Sequence, residues 1–378
     1  MDVLRRQLLL GAGAAALCGL SNGLAAETLE TQRPNGALPR YVSCGAHSPG
    51  DYMVAGFDEM GVVSFEHRLP ERGHGIAFRR SESECLVFAR RPGRFVLVLQ
   101  LETGALLQRI DPAAGRHFYG HGAFSADDAL LFATENDYET GRGCIGIYDC
   151  RAGYRRLGEV PSGGIGPHDI ALMPDDATLV VANGGIRTHP AKGRAKLNLP
   201  TMAPSLVYID AASGRLLEKV ELPARLHQLS IRHLDVAGDG QVVFAMQYEG
   251  DLADEVPLVG LHRRGAAARL LRGPDDVETR TRRYVGDVAF DASGRYLLAS
   301  SPRGNLFTAW DAVRGSYLAA ETLTDVCGLS AAGGAGQFLV SSGIGALSHF
   351  DALQGEILRT KAADAATLWD NHLASPSL

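Results

Sequence analysis

The sequence has no excess of basic charge. Its 37 Lys and Arg stand against 43 Asp and Glu, a net charge of −6 over 378 residues. Nucleic-acid binders are ordinarily basic, so no nucleic-acid partner is expected. No HExxH or CxxC spacing occurs, so any metal site must draw its ligands from distant parts of the chain. A Gly-x-Ser-x-Gly elbow is missing, and no helix follows Gly184-Gly185 or Gly333-Gly334 to receive a phosphate. No enzyme class is indicated on these grounds. Beyond the N-terminus no apolar run is long enough to span a bilayer. Of six cysteines, five remain once a leader is removed, and an odd count leaves at least one thiol without an intramolecular partner. Cys144 and Cys150 lie on one predicted strand, about 20 Å apart at the rise of an extended chain, so they cannot pair with each other.

The N-terminus has the three-part layout of an export signal over residues 1–26. Arg5-Arg6 precede the apolar stretch Leu8 to Leu17, and small residues follow at Ala25-Ala26. The stretch is too short to stay in a membrane, so no stable insertion is expected after cleavage. Paired arginines before Gln7-Leu8-Leu9 indicate a twin-arginine signal. Leu4 replaces the usual polar residue before the pair, which leaves an ordinary secretory route open. Leu17 is too bulky to precede a lipidated Cys18.

Glycine is abundant, at 45 residues, and suits a fold with many tight turns. An apolar strand, an acidic residue and a Gly-containing turn recur along the chain. The unit appears at Phe57-Asp58, Leu101-Glu102, Tyr148-Asp149, Ile209-Asp210, Trp310-Asp311 and Phe350-Asp351, with a degraded copy at Leu261-His262. Each reads as a β-hairpin. A second unit alternates with it: a polar residue beside Gly or His, a short apolar strand, a polar turn and another apolar strand. Together they give four strands per repeat, which is one propeller blade. The first marker is preceded by a single strand, Tyr41-Val42-Ser43-Cys44. The unpaired strand Trp369 to Ala374 matches the innermost pattern. The expected fold is therefore an all-β, seven-bladed propeller over residues 40–375, closed by pairing of the C-terminal strand into the first blade.

In a propeller, the loops entering each innermost strand and those joining the second and third strands emerge on one face. This geometry gathers eight of the twelve histidines there: His47, His74, His121, His168, His189, His227, His233 and His372. Imidazole is a good ligand for iron, copper or zinc. His74, His121, His168, His227 and His372 are the candidate metal ligands. Arg90, Asn183, Arg187, Gln228, Gln247, Tyr248, Asp287, Arg303 and Asn371 are candidates for contact with a ligand at the same mouth. The residues also fit a plainer role. In WD-repeat propellers a Gly-His pair before the inner strand ties a blade together, and Gly73-His74 and Gly120-His121 have that form.

Taken as a set, Gly73-His74-Gly75, Tyr119-Gly120-His121-Gly122, Gly166-Pro167-His168-Asp169, Leu226 to Leu234, Met246 to Gly250 and Trp369-Asp370-Asn371-His372-Leu373 resemble a family of exported bacterial propellers that carry a domain of unknown function. The likeness covers nearly the whole mature chain. It implies a periplasmic seven-bladed propeller encoded near imelysin-like and cytochrome-peroxidase-like proteins of iron uptake, which would be its partners. No catalytic residues are established for that family. Three readings stay open: a periplasmic protein binding a metal ion, metal complex or partner protein; a metal-dependent lyase or hydrolase using the same funnel; and an interaction scaffold whose histidines only tie the blades.

Overall fold

A computed structural model describes residues 38–91, 93–251, 253–361 and 367–376. The expected export signal lies outside them. Twenty-eight strands, numbered β1 to β28 along the chain, form seven four-stranded antiparallel sheets. The innermost strands are β4 (Gly73–Arg79), β8 (Arg116–Phe124), β12 (Pro167–Leu172), β16 (Leu229–Val236), β20 (Asp287–Phe290), β24 (Val326–Ala331) and β28 (Leu368–Ala374). Each packs on the next in that order, and β28 meets β4 to complete a circle. The protein is a seven-bladed β-propeller. β28 pairs antiparallel with β1 (Tyr41–Ser48), so both ends of the described chain share blade 1.

The recurring acidic residue has a local cause. The Asp149 carboxylate accepts the backbone N–H groups of Arg151 and Ala152 at 3.0 and 3.2 Å. Asp210, Asp311 and Asp351 do the same for the turns that follow them. This side-chain turn starts these outer hairpins, and a left-handed Gly completes it at Gly214, Gly315 and Gly355. In the degraded copy His262 takes over, with its Nε2 2.9 Å from the Ala266 carbonyl and its Nδ1 2.6 Å from the Tyr208 hydroxyl.

Apolar side chains of the inner three strands interleave between neighbouring blades. Phe88, Leu131, Phe118 and Tyr148 fill the space between blades 2 and 3, and Phe307, Phe338 and Phe350 that between blades 6 and 7. Each fully buried ring stabilises the stack by roughly 1.5–3 kcal/mol. Outer strands keep one face in water. Nearer the axis, buried carboxylates link blades. Asp169 accepts the N–H of Leu234, Asp235 that of Phe290, and Asp287 that of Leu329, at 3.1, 2.7 and 2.9 Å. Blades 4 to 7 are thus tied in sequence by hydrogen bonds that leave no inner carboxylate bare. No helix among the described residues is long and apolar enough to cross a membrane.

Candidate functional site

The innermost strands are irregular at matching places. Their pairing register shifts between Gly73 and Ile76, Phe118 and Gly122, Pro167 and Asp169, and Ile231 and Leu234. The partner of β28 shifts between Ser43 and Gly45, opposite residues 370–372. A β-bulge leaves residues unpaired and re-aims their side chains. Each of these five bulges carries a histidine: His74, His121, His168, His233 and His372. All five rings turn into the axial channel.

The rings converge. Centroids of His74 and His372 are 4.6 Å apart, His233 and His372 4.5 Å, His168 and His233 4.6 Å, and His74 and His121 4.8 Å. All five are buried, with His233 only 2% exposed. Close approach needs glycine on the neighbouring strand. A Cβ on Gly120, whose φ is +116°, would sit 2.5 Å from His74 Cδ2, so no larger residue fits there without displacing the ring.

Two rings are held by carboxylates of other blades. His121 Nδ1 lies 3.1 Å from Asp169 Oδ1, and His372 Nδ1 lies 3.0 Å from Asp287 Oδ1. Each carboxylate fixes the proton on Nδ1 and leaves Nε2 with its lone pair. Nε2 of both rings is buried and has no hydrogen-bond partner, as is Nδ1 of His74, His168 and His233. His168 Nε2 and His233 Nε2 are 3.3 Å apart. A tetrahedral zinc site with bonds of 2.0–2.1 Å separates its nitrogens by about 3.4 Å.

Ring nitrogens of His74, His121 and His168 lie within 4.8 Å of one another, as do those of His74, His233 and His372. His121 and His233 make a third such set with Asp169. The sets share members, so they describe one compact centre. Burial, reinforced by neighbouring rings and arginines, holds His74, His168 and His233 well below the ordinary imidazole range. They are neutral at neutral pH, the form that binds metal. Burial acts against charge on His372, but Asp287, with Asp169 and Asp370, outweighs it and raises the ring above its usual value.

A fourth close group, Glu135, Cys144 and Glu159, is of another kind. Glu135 accepts from Tyr148 at 2.5 Å and pairs with Arg156 at 2.7 Å, while Arg116 and Arg156 both hold Glu159. Its carboxylates are already satisfied by cations, so it reads as a structural ion-pair network.

Above the rings the channel opens into a vestibule of about 300 Å³, with His74, His168 and His233 in its floor. Arg90 and Arg303 stand in its wall, with Gln247 and Asn371. Arg90 and Arg303 come from connections and Gln247 and Asn371 from the strands β17 (Val242–Tyr248) and β28, and the propeller geometry brings these four sequence candidates to one face.

Residues 67–375 match a family described as Protein of unknown function (DUF1513). The chain belongs to this family. No curated protein matches it.

In this DUF1513 protein the remaining candidates lie elsewhere, each for a local reason. His227 does not join the rings; it ends the short 3₁₀ turn Ala224–Leu226, with its Nδ1 3.1 Å from the Ala224 carbonyl. His233 takes the expected place, because the blade 5 bulge falls six residues later. Asn183 is buried away from the vestibule and is hydrogen-bonded to Ser162 at 2.7 and 3.0 Å. Arg187 reaches outward to the Glu139 carbonyl, and Gln228 to the Leu199 carbonyl, both at 3.4 Å. Tyr248 donates to Asp254 on the rim. Asp287 sits among the rings, as the partner of His372. His47 pairs with exposed Glu66, and His189 caps the turn Pro190–Lys192. The cysteines Cys44, Cys85, Cys144, Cys150 and Cys327 are buried and unpaired with one another.

Sequence reasoning also passed over Arg72, Arg91, Arg194, Lys196 and Arg232, all of which line the vestibule. The doublets Arg90-Arg91, just after the second strand of blade 2, and Arg232-His233, within the innermost strand of blade 5, were the available signal.

Proposed function

We propose that the five-histidine centre binds a first-row transition metal ion, with iron, copper and zinc as the candidates. One observation carries the reading: five buried imidazoles from five blades each present a ring nitrogen with no hydrogen-bond partner. A buried polar atom without a partner costs about 1–3 kcal/mol, and a bound ion would recover that cost several times over. The carboxylate–histidine pairs Asp169–His121 and Asp287–His372 support it, because metal-ligating imidazoles are ordinarily oriented this way. A pure scaffold calls for rings bonded within their own blades. Here every ring keeps a buried nitrogen without a partner, which a tie between blades does not require and which favours a binding site. We extend the proposal to an exported, periplasmic protein of iron handling that works with iron-uptake partners, on the strength of the N-terminal leader and the family resemblance.

Calorimetric titration of metal-free protein with Fe(II) under anaerobic conditions, Cu(II) and Zn(II), with elemental analysis of the isolated protein, tests the proposal. At least one ion is expected to bind stoichiometrically and to be lost in His121→Ala and His233→Ala, while His227→Ala binds normally. Absence of binding by all three ions, or binding that survives both cluster substitutions, would end the metal reading.

A further inference from the structure

The vestibule has a charge pattern opposite to that of the chain. The protein carries a net charge of −6, yet seven of the residues lining this cavity are Arg or Lys and none is Asp or Glu. Two acids reach some of those cations from outside the lining. Asp370 holds Arg72 through two hydrogen bonds and lies 3.6 Å from Arg90. Glu249 pairs with Lys196 and lies 3.9 Å from Arg232. Arg91, Arg194 and Arg303 form no ion pair among the described residues. Positive charge therefore remains in surplus.

That surplus is held in place rather than left to drift into solvent. Arg91 lies over the Tyr119 ring at 4.9 Å, and Arg303 over the Tyr284 ring at 4.2 Å. The insertion between blade 4's second and third strands delivers Arg194 and Lys196 to the rim. It is pinned by Asn198, which accepts from Arg187 N at 2.6 Å and donates to the Gly185 carbonyl at 3.0 Å. Arg232 is only 9% exposed, and its Nε is buried with no hydrogen-bond partner. Burial and the nearby Arg91 disfavour the charge on Arg232. Burial together with Arg90, Arg91 and Arg72 does the same at Arg194. Fixed, mutually repelling guanidinium groups around a small cavity lower their energy when an anion enters between them.

We propose that the vestibule is a binding site for a small polyanion, one that carries two or more carboxylate or phosphate groups. The cavity of about 300 Å³ accommodates a ligand of roughly ten to fifteen heavy atoms, given about 30 Å³ for a water molecule. Arg232 sits at the base of the site and the loop cations at its rim, so a ligand with charged groups at both ends is gripped twice. Gln247 and Asn371 add neutral hydrogen-bonding groups. This site goes beyond the metal reading and does not depend on it, although an anion seated here would lie directly above the imidazoles.

The test is calorimetric titration of chelator-treated, metal-free protein with citrate and with pyrophosphate, and with glycerol as the neutral control. At least one polyanion should bind and glycerol should not, and the stronger of the two identifies carboxylate or phosphate as the preferred group. Binding should weaken by roughly ten-fold or more in Arg232→Gln, which removes a charged hydrogen-bond donor. The pair Arg194→Ser with Arg303→Ala should weaken it too; both side chains are exposed, so these variants keep the fold if Arg232→Gln does not. Failure of both polyanions to bind, or affinities unchanged in the rim variant, would overturn the proposal. Metal titration of the same rim variant separates the two sites: unchanged metal affinity there leaves the histidine centre standing whatever the polyanion result.

Discussion

Asp287→Asn tests the chemistry of the histidine centre with one atom. In the native protein Asp287 Oδ1 accepts from His372 Nδ1 at 3.0 Å, and Oδ2 accepts from Leu329 N at 2.9 Å. Asparagine can keep only one of these as an acceptor. The Leu329 N–H is fixed by the backbone, so the amide oxygen stays there and the NH₂ turns to His372. The ring must then accept at Nδ1 and carry its proton on Nε2, the buried nitrogen that has no hydrogen-bond partner in the native protein. That nitrogen is no longer a ligand. Loss of an orienting carboxylate ordinarily costs 10- to 100-fold in metal affinity, about 1.4–2.7 kcal/mol. Competition against a chromophoric chelator measures the loss, with thermal melting as the control for folding. In a His372→Ala background the same substitution should have no further effect, because there is no ring left to reorient. Native affinity in a folded Asp287→Asn protein, or an undiminished effect in the His372→Ala background, would refute this account of the site.

Three further outcomes are expected. Gly120→Ala places a Cβ 2.5 Å from His74 Cδ2 at a φ of +116°; it should lower stability by about 1–3 kcal/mol in chemical denaturation and weaken metal binding in parallel. Glu159 is held below the ordinary carboxylate range first by its hydrogen bond from Arg116; burial opposes this, and Arg156 adds to the lowering. A lowered folded value means that its contribution is complete above the unfolded value near about 4.3 and is lost as pH falls below it, so Glu159→Gln should flatten the fall in melting temperature between about pH 5 and pH 3. Burial pushes the thiols of Cys144 and Cys150 up to about 12 and that of Cys44 well above its usual value, so a disulfide reagent at neutral pH should label none of these three until the protein is denatured.

The blade count was legible because its signal is local. An Asp that caps its own turn and a Gly that completes it must recur wherever an outer hairpin recurs, and so they mark the period. His74, His121, His168 and His372 were legible for a related reason, since each falls on a short apolar inner strand beside a Gly, Asp or Asn. His233 was not singled out because register sets it apart from His227, and a bulge is a property of two paired strands that one strand does not reveal. The basic vestibule was harder still. Arg72 and Arg194 come from two different kinds of connection and Arg232 from within an inner strand, and only the closed circle brings them together. Asn183 and Arg187 show the reverse: a correct face assignment says nothing of whether a side chain turns toward the axis or into the wall.

Four of the five rings come from blades 2 to 5, in one continuous run of sequence. The fifth, His372, arrives on β28 from the far end of the chain and locks against β1. The seam of the propeller and the last ring of the cluster therefore lie on the same strand. Whatever the rings grip also latches that seam, and at a hundred times its Kd it would add about 2.7 kcal/mol against opening. Loading and closure would then be coupled, because peeling β28 away takes His372 out of the cluster.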